Sequence, residues 1–171
     1  MKKFAAGIIS SSMIMVFFMF SFLTEATAQK ANFAGTWALN ATKSAPVPEG
    51  QGGRGGGMRA SQLVVKQDAN SLTVDRTRTG QDGPVTSTDK YTLDGKESVN
   101  TTPRGSSKSI AKWGADSKSV NFAHTRTFGE REMKSTEVWT LTDAKTLTIV
   151  TKSPGRDGGA ERVMTLVYDK K

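Results

Sequence analysis

The sequence predicts an all-β protein, an up-and-down antiparallel β-barrel of about ten strands that is preceded by an N-terminal signal-peptide helix. Beyond residue 59, short runs rich in threonine, valine, leucine and aromatic residues are separated by glycine, aspartate and asparagine about every 8 to 12 residues, which is typical of sandwiches and barrels. No run in this part has the apolar spacing and the caps of an amphipathic helix. A long meander of hairpins protects its two edges by closing on itself, so a barrel is favoured.

Residues 1–28 predict a cleavable signal peptide. Two lysines follow the initial methionine, residues 13–23 form a dense apolar run, and an Ala-Thr-Ala sequence ending at Ala28 places small residues where a signal peptidase reads. We expect cleavage before Gln29 and export to the periplasm or beyond. The alternative is an uncleaved membrane anchor, because residues 4–23 are about long enough to span a bilayer.

The mature segment, residues 29–171, is long enough for one domain with a normal core. We expect no membrane span in it after cleavage. The sequence contains no cysteine, which excludes a disulfide, a thiolate metal site and a cysteine-linked lipoprotein anchor. The net charge of the full chain, +8, comes from lysines and arginines that are dispersed singly, as on solvated strand faces. A nucleic-acid partner is therefore not predicted, since it needs a clustered basic patch.

Ten candidate strands follow one another along the mature segment: residues 33–40, 61–67, 71–78, 85–93, 97–102, 107–113, 118–128, 132–141, 146–153 and 161–168. Short turns join nearly all of them. Asp94-Gly95 is a strong hairpin signal, because the favoured two-residue turn needs positive φ at both central positions. Residues 41–60 are the exception, since two prolines and six glycines exclude a regular element. We expect a loop at the barrel mouth there, in preference to an RGG-type nucleic-acid segment.

The first predicted strand carries a family resemblance. Its opening, FAGTW from Phe33 to Trp37, resembles the G-x-W strand of the calycins, which include lipocalins, fatty-acid-binding proteins and avidins. Over essentially the whole mature segment the chain is similar to lipocalin-like proteins of Bacteroidetes-type bacteria, a family of uncharacterised function. These proteins share the D-G-K-E, A-K-W and W-T-L segments that stand here at 94–97, 111–113 and 139–141.

The resemblance implies roles for three residues. Trp37 would plug the closed end of the barrel, Gly35 would let the entering chain pass close by, and Arg162 is the candidate for the arginine that many calycins set across the plug. Fatty-acid-binding proteins have two helices where this sequence has the loop 41–60. The strand with Tyr168 lacks their Arg-x-Tyr pair, so the resemblance does not imply carboxylate recognition of that type.

Alternation along the strands predicts which polar side chains share the apolar, inward face. The candidate interior residues for ligand contact are Arg76, Arg78, Asp89, Tyr91, Phe122, His124, Arg126, Glu137 and Trp139. In one interpretation the charged groups hold the polar head of an amphipathic ligand while the aromatic rings pack against its body. In the other, the arginines and carboxylates pair with one another, since buried charges must be paired.

Three functions stay open from the sequence alone. The first is binding of a small hydrophobic or amphipathic ligand, and the second is an envelope-associated protein-interaction barrel with a filled interior. The third is a barrel enzyme that uses His124 with an interior carboxylate, Glu137 or Asp89. The sequence has no nucleophile motif, and a single histidine makes a poor zinc site, so no catalytic residue, metal or cofactor is assigned.

Overall fold

A computed structural model describes residues 29–46, 59–80, 82–102, 105–129, 131–155 and 159–171. The strands in these residues are β1 (Gly35–Leu39), β2 (Gln62–Gln67), β3 (Ser71–Gly80), β4 (Gly83–Thr92), β5 (Asp94–Thr102), β6 (Gly105–Trp113), β7 (Ser119–Phe128), β8 (Arg131–Asp143), β9 (Thr146–Ser153) and β10 (Arg162–Lys170). Each matches one predicted strand, with ends that differ by at most three residues. The prediction of an all-β barrel of about ten strands is confirmed. The predicted signal peptide lies outside the described residues.

The ten strands form one antiparallel sheet that curls into a nearly closed barrel. Almost every strand pairs with its neighbours in sequence, as expected for an up-and-down meander. The first and last strands also pair, so that Trp37 of β1 lies opposite Lys170 of β10. The chain therefore closes on itself through its two terminal strands.

A seam interrupts the barrel between β4 and β5, which are the two ends of the hydrogen-bonded strand order. The prediction of a hairpin at Asp94-Gly95 is wrong, because no ladder joins the described residues of these strands, although Gly95 has the expected positive φ of 80°. Beside the seam, the ladder between β5 and β6 has a register shift between Asp94 and Glu97, an irregularity of a kind that bends a strand. The Asn100 side chain spans the seam: its Oδ1 accepts from Lys90 N–H at 2.8 Å, and its Nδ2 donates to the Lys90 carbonyl oxygen at 3.0 Å.

Aromatic side chains fill the closed end of the barrel. Trp37 is fully buried, and its Nε1–H donates to the Phe33 carbonyl oxygen at 2.9 Å. The Phe33 ring centre lies 6.0 Å from those of Trp113 and Trp139. The Gln67 side chain accepts from Phe33 N–H at 2.7 Å. Because aromatic contacts of this kind stabilise beyond their buried area, the segment before β1 is part of the core.

Lys170, and not Arg162, supplies the cation beside Trp37. Its Nζ lies 5.2 Å from the centre of the Trp37 ring. Arg162 begins β10 opposite Ser153, and the rise of the strand puts it about 26 Å from Lys170. The predicted role of Arg162 is therefore wrong, because β10 starts at the open end and finishes at the plug. Gly35 has φ +140°, and a Cβ there would lie 2.7 Å from the Lys170 side chain, so a larger residue would be strained at this position. The passage of the entering chain beside Gly35 stays a prediction.

Inward-facing side chains become more exposed from one end of the barrel to the other. On β8, Trp139 is 0% exposed, Glu137 7% and Met133 50%. On β4, the trend runs from 4% for Tyr91 to 60% for Val85. Residues two apart on a strand share a face, so these side chains all lie on the inner wall. The barrel thus has a dry closed half and an open half that solvent enters.

We call the open half the mouth. Its inner wall combines arginine, hydroxyl and apolar side chains: Arg78, Val85, Ser87, Ser107, Arg126, Met133, Ser135, Thr151 and Met164. Most of the predicted loop 41–60 lies outside the described residues, but the Tyr168 hydroxyl donates to the carbonyl oxygen of Ala60 at 3.1 Å and anchors the end of that loop to β10. In the part of the chain that is described, no helix has the length and apolar content needed to cross a membrane.

Candidate functional site

A network of polar side chains lies between the dry half and the mouth. Arg76 of β3 is at its centre. Its Nη2 lies 3.0 Å from Glu137 Oε1 on β8, and its Nε lies 3.3 Å from Asp89 Oδ2 on β4. Each of the three stands two positions from a core residue of its own strand, so alternation directs all three to the inner wall, where their charged groups meet. With Ser109 and His124 they form what we call the polar floor.

Glu137 is held as a carboxylate by its neighbours. Its Oε1 accepts from Arg76 and from Trp139 Nε1. Burial alone raises the pKa of a carboxyl group, but the Arg76 cation, His124 and these hydrogen bonds lower the pKa of Glu137 to about 2. Burial would likewise lower the pKa of Arg76, but Glu137, Tyr91 and Asp89 raise it. The pair therefore stays charged at neutral pH.

His124 is fixed in one orientation at the polar floor. Its Nδ1 lies 2.8 Å from Ser109 Oγ, and its ring stacks on Phe122 with centres 5.7 Å apart. Burial lowers the pKa of His124, although Glu137 raises it, so the ring is neutral at neutral pH. Its Nε2 has no hydrogen-bond partner among the described residues. Glu137 Oε2 stands 3.9 Å from this nitrogen.

Ser109 belongs to this site and was missed by sequence reasoning. It lies directly opposite His124 in the ladder between β6 and β7, and it is buried. The signal that could have found it is the short turn after Trp113, because a hairpin turn sets the register of the strands that it joins. Counting outward from that turn pairs Ser109 with His124.

Two arginines stand above the polar floor in the mouth. Arg78 lies opposite Val85, and its Nη1 donates to Ser87 Oγ at 2.9 Å. Burial lowers the pKa of Arg78, and the nearby Arg76 and Arg126 cations lower it further, against the effect of Asp89. Among the described residues no carboxylate forms a salt bridge with Arg78 or Arg126. Both guanidinium groups are half-buried and lack a counter-charge of their own.

The predicted aromatic residues pack around the polar floor. Tyr91 meets Phe122 edge to face with ring centres 5.0 Å apart, and Phe122 lies 5.6 Å from Trp139. The Arg76 guanidinium lies 5.4 Å from the Trp139 ring centre. Burial raises the pKa of Tyr91 to about 12. The nine predicted interior residues therefore lie in three layers. The polar floor holds Arg76, Asp89, His124 and Glu137, the rings of Tyr91, Phe122 and Trp139 stand one inward position below it, and Arg78 and Arg126 stand one inward position above it.

A hollow of about 550 Å³ lies on the outer wall of the barrel, over β6 to β9. Its apolar lining includes Ile110, which is 39% exposed, together with Ala123 and Val138. Lys112 and Lys152 border it. An outward apolar patch of this kind is the feature that the protein-interaction alternative needs.

The enzyme alternative needs His124 and a carboxylate within hydrogen-bond reach. The distance of 3.9 Å between His124 Nε2 and Glu137 Oε2 is too long for a direct hydrogen bond. No group of three or more histidine, aspartate or glutamate side chains in the described ranges could hold a metal ion. Neither observation assigns a catalytic role to the polar floor.

Known proteins resemble this chain in structure. No family model and no curated protein matches it. A variant of the fluorescent protein UnaG superposes with a TM-score of 0.50 and 16% identity, over 81% of this chain and 96% of that one. Zebrafish ileal bile acid-binding protein complexed with cholic acid superposes with a TM-score of 0.50 and 17% identity, over 81% and 98%. The chain therefore shares the barrel fold of these two structures.

Proposed function

We propose that the barrel binds a small amphipathic molecule with one negative charge, and that the charged head lies in the mouth between Arg78 and Arg126. The observation that carries this proposal is the presence of two half-buried guanidinium groups without a carboxylate partner among the described residues. Removing a cation from water is costly unless an anion compensates it. A bound anion supplies the missing partner.

The charge balance of the inner wall supports a monoanion. Its buried and half-buried ionised groups, among the described residues, are three guanidinium groups and two carboxylates: Arg76, Arg78, Arg126, Asp89 and Glu137. Because burial keeps His124 neutral, the wall carries one positive charge in excess. A carboxylate or a sulfate monoester neutralises this excess with a single negative charge.

The remainder of the mouth suits an apolar body. Val85 and Met133 expose 60% and 50% of their surface on the inner wall, and Met164 is half-buried there. Binding sites for small molecules commonly join such apolar surface to a few convergent polar groups. Zebrafish ileal bile acid-binding protein, which has the same barrel fold, is complexed with cholic acid, and this complex supports a ligand of about the size of cholic acid.

The test compares three molecules with the same ten-carbon chain: decanoate, decanol and decyltrimethylammonium. Calorimetric titration of the wild-type protein should rank decanoate first and the ammonium last. Arg126→Gln should weaken decanoate binding about tenfold and leave decanol binding within about twofold, as expected for one charged hydrogen bond. Lys112→Gln on the outer wall is the matched control and should change neither. Absence of binding by all three molecules contradicts the proposed function.

A protein-interaction role is the second candidate, and the hollow at Ile110 on the outer wall favours it. A photo-crosslinking residue at position 110 should capture a partner in cells, whereas one at the inner-wall position of Met133 should not. Equal capture at both positions contradicts this role.

We propose export and kinship on the strength of the sequence. Cleavage before Gln29 is supported by the order of charged, apolar and small residues in 1–28. N-terminal sequencing of protein recovered from outside the cytoplasm should begin at Gln29, and a chain that keeps Met1 contradicts cleavage. The FAGTW opening supports membership of the lipocalin-like proteins of Bacteroidetes-type bacteria.

A further inference from the structure

We propose that the ligand also carries a hydroxyl group, which binds between His124 Nε2 and Glu137 Oε2 at the polar floor. The ligand class is then a hydroxylated amphipathic anion, held at its charged head by the mouth and at its hydroxyl by the floor. This inference rests on the proposed function. It adds to the two arginines of the mouth a second site of ligand recognition, at the polar floor.

The site consists of one unused donor and one unused acceptor that face each other. His124 is 3% exposed, its Nδ1 is occupied by Ser109 Oγ at 2.8 Å, and its Nε2 lacks a partner among the described residues. Glu137 uses Oε1 for both of its hydrogen bonds within the described chain, to Arg76 and Trp139. Its Oε2 is left facing the imidazole at 3.9 Å.

The surroundings select the tautomer of His124. A neutral imidazole has one N–H donor and one bare acceptor nitrogen. If Nε2 were the bare nitrogen, its lone pair would face the carboxylate of Glu137 and be repelled. The tautomer with the proton on Nε2 instead directs an N–H toward that charge, and Ser109 then donates to Nδ1. The floor therefore presents an N–H and a carboxylate oxygen side by side.

A hydroxyl group fits this pair better than other polar groups do. An oxygen about 2.9 Å from both atoms lies roughly 2 Å from the line that joins them. It accepts from His124 Nε2–H and donates to Glu137 Oε2. A carbonyl group only accepts and is repelled by the carboxylate, whereas an ammonium group only donates and leaves the imidazole N–H unpaired. A buried N–H without a partner is costly, so the occupant that satisfies it is favoured.

The position of the pair places it within reach of a ligand in the mouth. On β7, His124 stands one inward position below Arg126, and on β8, Glu137 stands one inward position below Ser135. Ser135 and Arg126 are half-buried and line the mouth, and Glu137 itself keeps 7% of its surface exposed. A molecule whose head lies between the two mouth arginines thus extends toward the floor.

The first experiment compares decanoate with its 6-, 8- and 10-hydroxy derivatives by calorimetric titration. The wild-type protein should bind the best-placed hydroxy acid about tenfold more tightly than decanoate, the effect of satisfying one buried polar group. His124→Phe keeps the ring against Phe122 but removes the N–H, and it should abolish this preference while decanoate still binds. Lys112→Gln, on the outer wall, is the matched control and should keep the preference.

The second experiment needs no variant, because His124 is the only histidine of the chain. The ¹⁵N signal of its Nε2 should show the protonated tautomer and should move when the preferred hydroxy acid binds, but not when decanoate binds. Equal affinity for all four acids, with no movement of this signal, means that water alone fills the site and overturns the inference without touching the proposed function. Failure of every acid to bind overturns both.

Discussion

The closed and open halves of this barrel are built by the same strands with the same alternation, yet their inner walls differ. In the closed half the inward positions hold Trp37, Leu72 and Leu147, which are fully buried. In the mouth they hold residues such as Arg78 and Met133, which water reaches. Each strand thus contributes its inward residues at one end to stability and at the other to the proposed binding surface. Position along the strand therefore separates the stabilising residues from those proposed to bind.

The polar floor marks the boundary between the two halves. Arg76, Asp89 and Glu137 bridge β3, β4 and β8 through charged contacts at 3.0 and 3.3 Å. Below them the described inward side chains form an apolar and aromatic cluster, and above them the wall combines arginine, hydroxyl and more exposed apolar side chains. Substitutions on each side of the boundary therefore test whether the two halves act differently.

The largest effect is expected in the closed half. Trp37→Ala removes the fully buried plug and should lower the free energy of unfolding by about 4 kcal/mol, because it leaves a large cavity and a lost hydrogen bond to Phe33. Met133→Ala, on the inner wall of the mouth, should cost less than about 1 kcal/mol. Urea unfolding followed by far-ultraviolet circular dichroism measures both. Similar costs for the two variants contradict the division of the barrel into halves.

The next effect distinguishes the paired arginine from the unpaired one. Arg76→Met should destabilise the fold by about 3 kcal/mol, because it leaves the Glu137 carboxylate buried without its counter-charge. Arg78→Met should change the free energy of unfolding by less than about 0.5 kcal/mol, since its guanidinium lacks a carboxylate partner in the described chain and burial lowers its pKa. Urea midpoints at pH 7 give the comparison. An Arg78 variant as unstable as the Arg76 variant shows that the mouth is structural too.

On acidification the free energy of unfolding should fall in two steps of unequal size, one from His124 and one from Glu137 of the polar floor. The pKa of Glu137 is lowered from 4.5 to about 2, so its contribution is present above pH 4.5 and is lost as the pH falls toward 2, by about 3 kcal/mol at most. The pKa of His124 is lowered from 6.5, so its contribution is present above pH 6.5 and is lost below that value.

Unfolding free energies measured between pH 8 and 2 separate the two steps. His124→Phe should remove the first loss, which begins below pH 6.5, and should leave the second in place. A wild-type protein that gains stability on acidification from pH 7 to 5 contradicts the burial of a neutral imidazole.

The sequence was sufficient to predict the elements and the faces of the strands. Alternation has a period of two, so a strand with Val120 and Phe122 inward must also direct His124 inward once its boundaries are known. The same rule placed Glu137 with Trp139 and Asp89 with Tyr91. These inferences are local, because they depend only on neighbours along one strand.

Contacts between strands do not follow from the alternation of side chains along one strand. Whether Lys170 or Arg162 meets Trp37 depends on the pairing of β1 with β10, which are joined only when the whole chain closes. The seam between β4 and β5 lies beside a register shift in the β5–β6 ladder, whereas the Asp94-Gly95 motif favours a paired hairpin at that place. The partnership of Ser109 with His124 depended on the register set by a turn. Register over long sequence separations comes from packing of the whole barrel, so it is not encoded in any one segment.

The side-chain bridge across β4 and β5 has a mechanical consequence for the barrel. Side chains of β5, and not a row of backbone hydrogen bonds, hold the seam together. The Asn100 side chain hydrogen-bonds the backbone of Lys90, and Ser98 Oγ accepts from Thr92 N–H at 2.9 Å. Rotation of the Asn100 and Ser98 side chains is enough to increase the distance between β4 and β5. Widening the barrel between any other two neighbouring strands breaks their backbone hydrogen bonds. We expect the barrel to accommodate ligands of different width by opening at the seam, while the backbone pairing of every strand is kept.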